Sequence, residues 1–314
     1  MNLLVTGSTG FVGAALLENI KCQEWAVTSV VRTPKPAICS DYIVSSIDPN
    51  TDWAGAFDGV DCVVHCAACV HQMNESAIEA LEAYREVNTL GTLNLARQAA
   101  QAGVKRFIFI SSIKVNGEFS PSGHPFQPDL VHVPDDPYGL SKYEAEVQLR
   151  ELAKETGIEV VIIRPPLVYG PGVKANFLSM MHWIKKGIPL PLGAIHNSRS
   201  LVYIDNLVDL ILTCCKHPKA AGETFLASDD KDVSTTQLLK AVALSMNKRA
   251  RLIPIPMSII EFAAQVIGKP QISQRLCGSL EVDISHTRKI LDWDPPVTFE
   301  QGIKRTVQAY LDSQ

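Results

Sequence analysis

Leu3-Leu4-Val5-Thr6-Gly7-Ser8-Thr9-Gly10-Phe11-Val12-Gly13 is an apolar run that breaks into three glycines. Asn2–Thr6 is short and apolar, and reads as a buried strand. After it, Val12, Ala15, Leu16 and Ile20 recur at helical spacing, so residues 10–21 read as a helix. The glycine spacing suits a strand–helix turn that meets a phosphate. Gly7 allows the tight turn, Gly10 lets the backbone approach a pyrophosphate, and Gly13 lets the helix pack close to the strand. The helix N-terminus then offers unpaired N–H groups to the anion. Glycines alone are a weak signal, but here they follow a strand and open a helix, which is the context the motif needs.

The same alternation continues. Strands are predicted at Ala26–Val31, 42–45, 62–66, 106–111 and Glu159–Arg164, and helices at 79–102 and 138–156, each closed by a glycine. Short apolar strands separated by helices predict a parallel sheet covered on both faces, an α/β doubly wound fold of the Rossmann type. After Arg164 the texture changes, with Pro165, Pro166, Gly170, Pro171 and Gly172 in quick succession. The predicted organisation is a dinucleotide-binding domain over 1–168, with return segments near 200–228, and a smaller α/β substrate domain over 169–314. Residues 224–227 read as one more strand of the sheet.

The 314 residues suit two intertwined domains. A hydrophobic share of 46% and a net charge of −4 describe a soluble globular chain, and argue against a nucleic-acid binder or a polybasic membrane-surface protein. No apolar stretch reaches the roughly 18–20 residues of a membrane span. The start lacks the basic leader of a signal peptide, so the cytoplasm is the expected compartment. Cys62, Cys66 and Cys69 are spaced as in some iron–sulfur proteins, with His65 and His71 nearby. A strand there sends Cys62 and His65 to opposite faces, so buried small residues are the better reading and no metal is expected.

Two further signals concern chemistry. Tyr138 and Lys142 are four apart in a predicted helix and share a face. An ammonium beside a phenol lowers its pKa from about 10 toward neutral, making it a proton donor or acceptor for a carbinol or carbonyl oxygen. Ser111 and Ser112 close a strand, at the end of a parallel sheet where ligands bind.

Together with HCAA (65–68), VNTLGT (87–92), SSIKVNGE (111–118), YGLSK (138–142), RPPLVYGPG (164–172), SRSLVYIDNL (198–207) and LDWDPP (291–296), these segments resemble the extended short-chain dehydrogenase/reductases. That family comprises epimerases, dehydratases and reductases of nucleotide sugars, and the resemblance covers nearly the whole chain. It implies Tyr138 as general acid/base and Lys142 as the grip on the nicotinamide ribose. Ser112 would bond the reacting sugar oxygen, and Asn88 would be structural. Gly7, Thr9, Gly10, Phe11, Val12 and Gly13 would hold the pyrophosphate, Ser46 and Ile47 would border adenine, and Ala67, Ala68 and Pro165 would line the cofactor. Asn176, Arg199 and Arg275 would hold the diphosphate of a UDP-sugar, since guanidinium suits phosphate. Lys114 and His71 are substrate-facing candidates, and a homodimer is implied.

Dehydratases of this family follow the active-site Ser/Thr with an Asp-Glu pair. Ile113-Lys114 stands there instead, which argues against dehydration. The segment details most resemble bacterial O-antigen and capsule enzymes, nearest to 4-keto reductases that make UDP-N-acetylquinovosamine. The expected activity is therefore reduction of the 4-keto group of a UDP-linked 6-deoxy sugar. UDP-glucose or UDP-N-acetylglucosamine 4-epimerisation is the alternative, and a non-catalytic NADP-sensing protein the third reading. Arg32, ending the second strand with no acid before Asp41, predicts NADP(H) over NAD(H), which remains usable.

Overall fold

The computed structural model describes residues 1–313 except 22–24, 34–39, 71–76, 122, 130–132 and 269. Its strands are β1 (Asn2–Thr6), β2 (Ala26–Val31), β3 (Ser40–Ile43), β4 (Cys62–His65), β5 (Arg106–Ile110), β6 (Glu159–Arg164), β7 (Leu167–Tyr169), β8 (Leu201–Tyr203) and β9 (Thr224–Leu226). Seven of them form one parallel sheet in the order β3-β2-β1-β4-β5-β6-β9. The chain starts in the middle, winds outward to β3, then returns past β1 and winds the other way. The crevice beyond the C-terminal ends of β1 and β4 is the point where that direction reverses, the usual ligand position in such sheets.

Alternation along β1 supplies both cores. Leu3 and Val5 pack on one face with Ile108, Val161 and Leu207, while Leu4 packs on the other with Val63, Phe107 and Leu149. The helices are α1 (Phe11–Ile20), α2 (Ala77–Tyr84), α3 (Thr92–Gln101), α4 (Pro137–Thr156), α5 (Ala175–Lys186), α6 (Ile204–Lys216), α7 (Thr235–Ser245), α8 (Met257–Val266), α9 (Pro270–Cys277), α10 (Ser285–Leu291) and α11 (Phe299–Asp312). A third core, around Phe177, Tyr203, Leu239 and Ile303, belongs to the C-terminal half. Among the described residues, no helix is long and apolar enough to cross a membrane.

Two local expectations need correction, and one strand pairing was not anticipated. The third strand lies at Ser40–Ile43, two residues earlier than its apolar residues suggested, because β2 pairs Thr28 with Ser40 and Val31 with Ile43. The helix expected over 79–102 is interrupted by a π-helical turn, Arg85–Gly91. The two LVY segments pair with each other as β7 and β8, strands too short for alternation to reveal.

Candidate active site

The glycine turn is built as a cradle. Gly7 has φ +65°, and a Cβ there would lie 2.6 Å from the Ala67 nitrogen, because β1 and β4 emerge side by side with Thr6 opposite His65. A Cβ on Gly13 would fall 2.3 Å from the Gly7 carbonyl oxygen. Only glycine tolerates both positions. Gly10 is the N-cap of α1 and supplies no side-chain cap, so the first-turn N–H groups face outward as an anion site.

From this cradle runs a cleft of 730 Å³, within the size range of small-molecule sites. Gly7, Thr9, Gly10, Phe11, Val12 and Gly13 line its middle, Arg32, Ser46 and Ile47 one end, and Ala67, Ala68, Pro165, Ser112, Tyr138 and Lys142 the other. The walls also include Val30, Cys69, Val87 and Val168, apolar or weakly polar residues to which the sequence reading gave no site role. Two other clefts, at the N-terminal ends of β1 and β2 and beside β9, contain none of these residues.

The end of the cleft that carries Ser112 and Tyr138 is set by two elements. Asp136 caps α4, accepting from the Gly139 N–H at 2.7 Å, and so orients the turn that carries Tyr138. Ser112 caps the short 3-10 turn Ile113–Val115, its hydroxyl accepting from the Lys114 N–H at 3.2 Å. Lys142 is fully buried; its Nζ donates to the Ile110 carbonyl at 2.8 Å and sits 4.2 Å from the centre of the Phe109 ring. Tyr84 meets Tyr138 edge to face at 5.8 Å.

The expected effect of Lys142 on Tyr138 is not found. Burial, then Asp136, Tyr84 and Cys69, hold the Tyr138 phenol above its ordinary value. Burial also pulls Lys142 down to about 7. The helical spacing is as predicted, but the ammonium turns into the sheet toward Ile110 instead of the phenol.

Of the predicted substrate residues, Ser112 and Tyr138 line the cleft, whereas Lys114, Asn176, Arg199 and Arg275 do not. Lys114 is committed to Asp136 and Glu118, both at 3.0 Å. Asn176 is exposed near the start of α5. Arg199 and Arg275 are brought together, because Arg199 Nη1 donates to the Arg275 carbonyl at 2.9 Å and the Gly278 carbonyl at 3.2 Å. The Arg275 side chain is exposed. His71 lies outside the described residues.

His65 uses both ring nitrogens, with Thr6 at 2.6 Å and Thr92 at 2.9 Å, and burial holds it down at about 3, as a neutral imidazole. It packs on Phe107 and Phe109, while Cys62 belongs to the core on the opposite sheet face. Burial pushes the Cys66 thiol up to about 12.

The model of the NAD dependent epimerase/dehydratase family matches residues 3–227. The chain belongs to that family. It is 50% identical to a UDP-glucose 4-epimerase of Vibrio cholerae, over 99% of this chain and 96% of the relative. It is 27% identical to an N-acetyl-alpha-D-glucosaminyl-diphospho-ditrans,octacis-undecaprenol 4-epimerase of Escherichia coli O157:H7, over 98% and 94%. The fold superposes with TM-score 0.78 on a UDP-glucuronic acid 4-epimerase from Bacillus cereus in complex with NAD, at 21% identity, covering 100% and 99% of the two chains.

Residues given no catalytic or binding role in the sequence reading hold the Ser112 and Tyr138 end of the cleft in place in this epimerase/dehydratase family member. Arg164 and Glu146 are both fully buried and pair through Nε–Oε1 at 2.9 Å and Nη2–Oε2 at 2.6 Å. Glu146 also accepts from the Ser111 hydroxyl at 2.6 Å, and Arg164 Nη1 donates to Asn116 Oδ1 at 2.9 Å. The pair thus pins both ends of the segment that carries Ser112. The available signal was Arg164 itself, a charge ending the apolar strand EVVIIR. Asn88 exchanges hydrogen bonds with the Cys69 backbone at 2.8 and 3.0 Å and donates to Ser141 at 3.1 Å. It fastens the exit of β4 to α4 from within the π turn, a structural role.

The buried Lys142 gives a pH prediction. Between pH about 7 and the usual lysine range, an unfolded lysine keeps its proton while the folded one has lost it. The unfolded state then binds more protons, so stability rises with pH across that window. Lys142→Met removes this contribution. Its melting temperature relative to wild type should be highest at neutral pH or below, and fall as pH rises above 7. An equal difference at pH 7 and at alkaline pH would show that burial does not depress Lys142.

Proposed function

We propose that the protein is a UDP-sugar 4-epimerase. The observation that carries this reading is 50% identity to a UDP-glucose 4-epimerase across 99% of the chain, joined to a site that holds Ser112, Tyr138 and Lys142 on one cleft. The sequence reading placed 4-keto reduction first; the relatives favour the epimerase instead, since the 50% and 27% identical relatives reported above are 4-epimerases. The non-catalytic reading loses support because the reactive residues are intact.

A nicotinamide dinucleotide suits the cleft, given the tight glycine turn, closed against β4 and α1 with no room for a Cβ at Gly7 or Gly13, and the first turn of α1 without a side-chain cap. It would supply reversible hydride uptake at the sugar C4. On this reading the N–H groups of Phe11 and Val12 bind the diphosphate, Ser46 and Ile47 border adenine, and Ala67, Ala68 and Pro165 wall the nicotinamide end. Lys142 grips the nicotinamide ribose. Tyr138 takes the proton from the 4-hydroxyl and returns it, with Ser112 orienting that oxygen. Asn176, Arg199 and Arg275 bind the UDP diphosphate. Incubation with UDP-glucose and with UDP-N-acetylglucosamine, followed by chromatography of the 4-epimers, tests the reading. Oxidation of NADPH by a 4-keto-6-deoxy UDP-sugar, with no epimer formed, would restore the reductase.

At the adenosine end, Arg32 is exposed at the mouth of the cleft and supports NADP(H) over NAD(H). Because an epimerase returns its hydride within each turnover, binding alone decides the cofactor. An exposed charge contact is worth about 0.2–1 kcal/mol, so Arg32→Asp, which replaces attraction by repulsion, should shift the NADPH-to-NADH affinity ratio about three- to tenfold toward NADH. An unchanged ratio in fluorescence titrations would remove Arg32 from the 2′-phosphate site.

Arg199→Ala should weaken UDP binding roughly tenfold, the cost of one charge-assisted phosphate contact. Affinity for the dinucleotide should change little. Unaltered UDP affinity in calorimetry would leave Arg199 only its bonds to the Arg275 and Gly278 carbonyls.

A further inference from the structure

Helix α8 turns Met257 and Ile260 toward the C-terminal core. Yet Ile259, Phe262 and Val266 are 55%, 68% and 71% exposed, and Ile267 just beyond the helix 70%. Their spacing makes a second apolar stripe, pointing away from the protein. Single exposed apolar residues are ordinary, but a stripe of large ones along a helix marks a contact surface.

The surroundings of this helix are strongly basic. Residues 174–200 and 248–280 together hold nine Lys and Arg and one acid, Glu261, in a chain whose net charge is −4. The two segments are laced together. The Leu190 N–H donates to the Arg251 carbonyl at 2.9 Å, the Ile253 N–H to the Leu190 carbonyl at 2.8 Å, and Lys248 Nζ to the Lys185 carbonyl. This lacing leads directly into α8, and α9, carrying Arg275, packs beside it. Lys186, Arg249, Arg251 and Arg275 are exposed, and among the described residues none of them joins an ion pair.

We propose that this face docks on an anionic phospholipid bilayer. Helix α8 would lie in the interface, with Ile259, Phe262, Val266 and Ile267 toward the acyl chains and the cations over the headgroups. An outward apolar stripe flanked by unpaired basic residues is what interfacial helices use, and the sign of the charge matches the negative leaflet. A second copy of the chain is the poorer occupant, because symmetric docking sets the basic collar against itself. The net charge of the whole chain argued against membrane-surface binding, but that total averages over a lobe of opposite sign. The proposal is independent of which sugar is turned over.

The test is co-sedimentation of the full chain with vesicles of phosphatidylcholine alone and of phosphatidylcholine with phosphatidylglycerol. Binding should appear only with the anionic lipid and should weaken as salt rises. Each cation near the surface is worth about fivefold in affinity, so Lys186→Glu/Arg249→Glu/Arg251→Glu should lose on the order of a hundredfold. Phe262→Ser/Val266→Ser should lose roughly tenfold or more. Both variants should keep the wild-type circular dichroism spectrum and melting temperature within a few degrees. Equal binding to neutral and anionic vesicles, no binding to either, or variants that bind like wild type would overturn the proposal. So would a wild-type dimer in light scattering that the Phe262/Val266 variant splits, since the face would then be a self-interface.

Discussion

Tyr138→Phe is expected to retain cofactor affinity and lose about 10²–10⁴-fold in turnover, the usual contribution of a positioned acid/base. The phenyl ring still packs edge-on against Tyr84, so the site keeps its shape and loses only the hydroxyl. The loss should appear in kcat, with KM for the UDP-sugar changed little, because the proton transfer matters most in the transition state. The Tyr138 phenol is held high by burial and Asp136. On the proposed reading, turnover at neutral pH needs the phenol brought down once cofactor and sugar are bound, and Lys142, one helical turn away, would supply the charge. Lys142→Ala should accordingly reduce both turnover and dinucleotide affinity. A Tyr138→Phe enzyme within a few-fold of wild type would remove the tyrosine from the chemistry.

The second large effect is on stability. Arg164→Leu leaves the Glu146 carboxylate in a fully buried position without its main partner, and breaking such a pair costs about 3–5 kcal/mol. Arg150 already donates to Glu146, but through one long contact of 3.4 Å from a partly exposed side chain, which does not replace the two shorter bonds of Arg164. Arg164→Leu/Glu146→Leu should recover part of the loss, because no charge is then buried alone. Recovery should be incomplete, since the Ser111 hydroxyl and the Asn116 side-chain oxygen each lose a partner, at about 1–3 kcal/mol apiece. Urea unfolding of wild type, the single and the double variant decides it. A single variant within about 1 kcal/mol of wild type would contradict the buried-pair account.

The parts of the site that follow from local rules were legible in the chain. The glycine turn at Gly7–Gly13, the serines ending β5 and the Tyr138/Lys142 spacing all depend on residues within one or two turns of each other. The parallel, doubly wound sheet followed because apolar strands alternating with helices permit few windings. The direction of the Lys142 ammonium did not follow. Its partner is the Ile110 carbonyl, 32 positions away, and its environment is the Phe109 ring. Lys114 read as a substrate-facing candidate because its sequence neighbours do not reveal Asp136, whose carboxylate lies 3.0 Å from it at the start of α4.

Backbone chemistry written in short segments, such as turns, caps, strand alternation and helix faces, is determined by nearest neighbours, and the residue order specifies it directly. Side-chain partnership is a matter of distance in space. The Arg164–Glu146 pair under Ser111, the Asn88 tie between β4 and α4, and the meeting of Arg199 with the Arg275 carbonyl each join residues separated by 18 to 76 positions. Charge behaves the same way. The total for the chain is a sum over positions, whereas the basic collar around α8 is assembled when folding lays 185–194 against 248–256. Coulomb energy and desolvation depend on separation and burial, and both are set only when the tertiary structure forms.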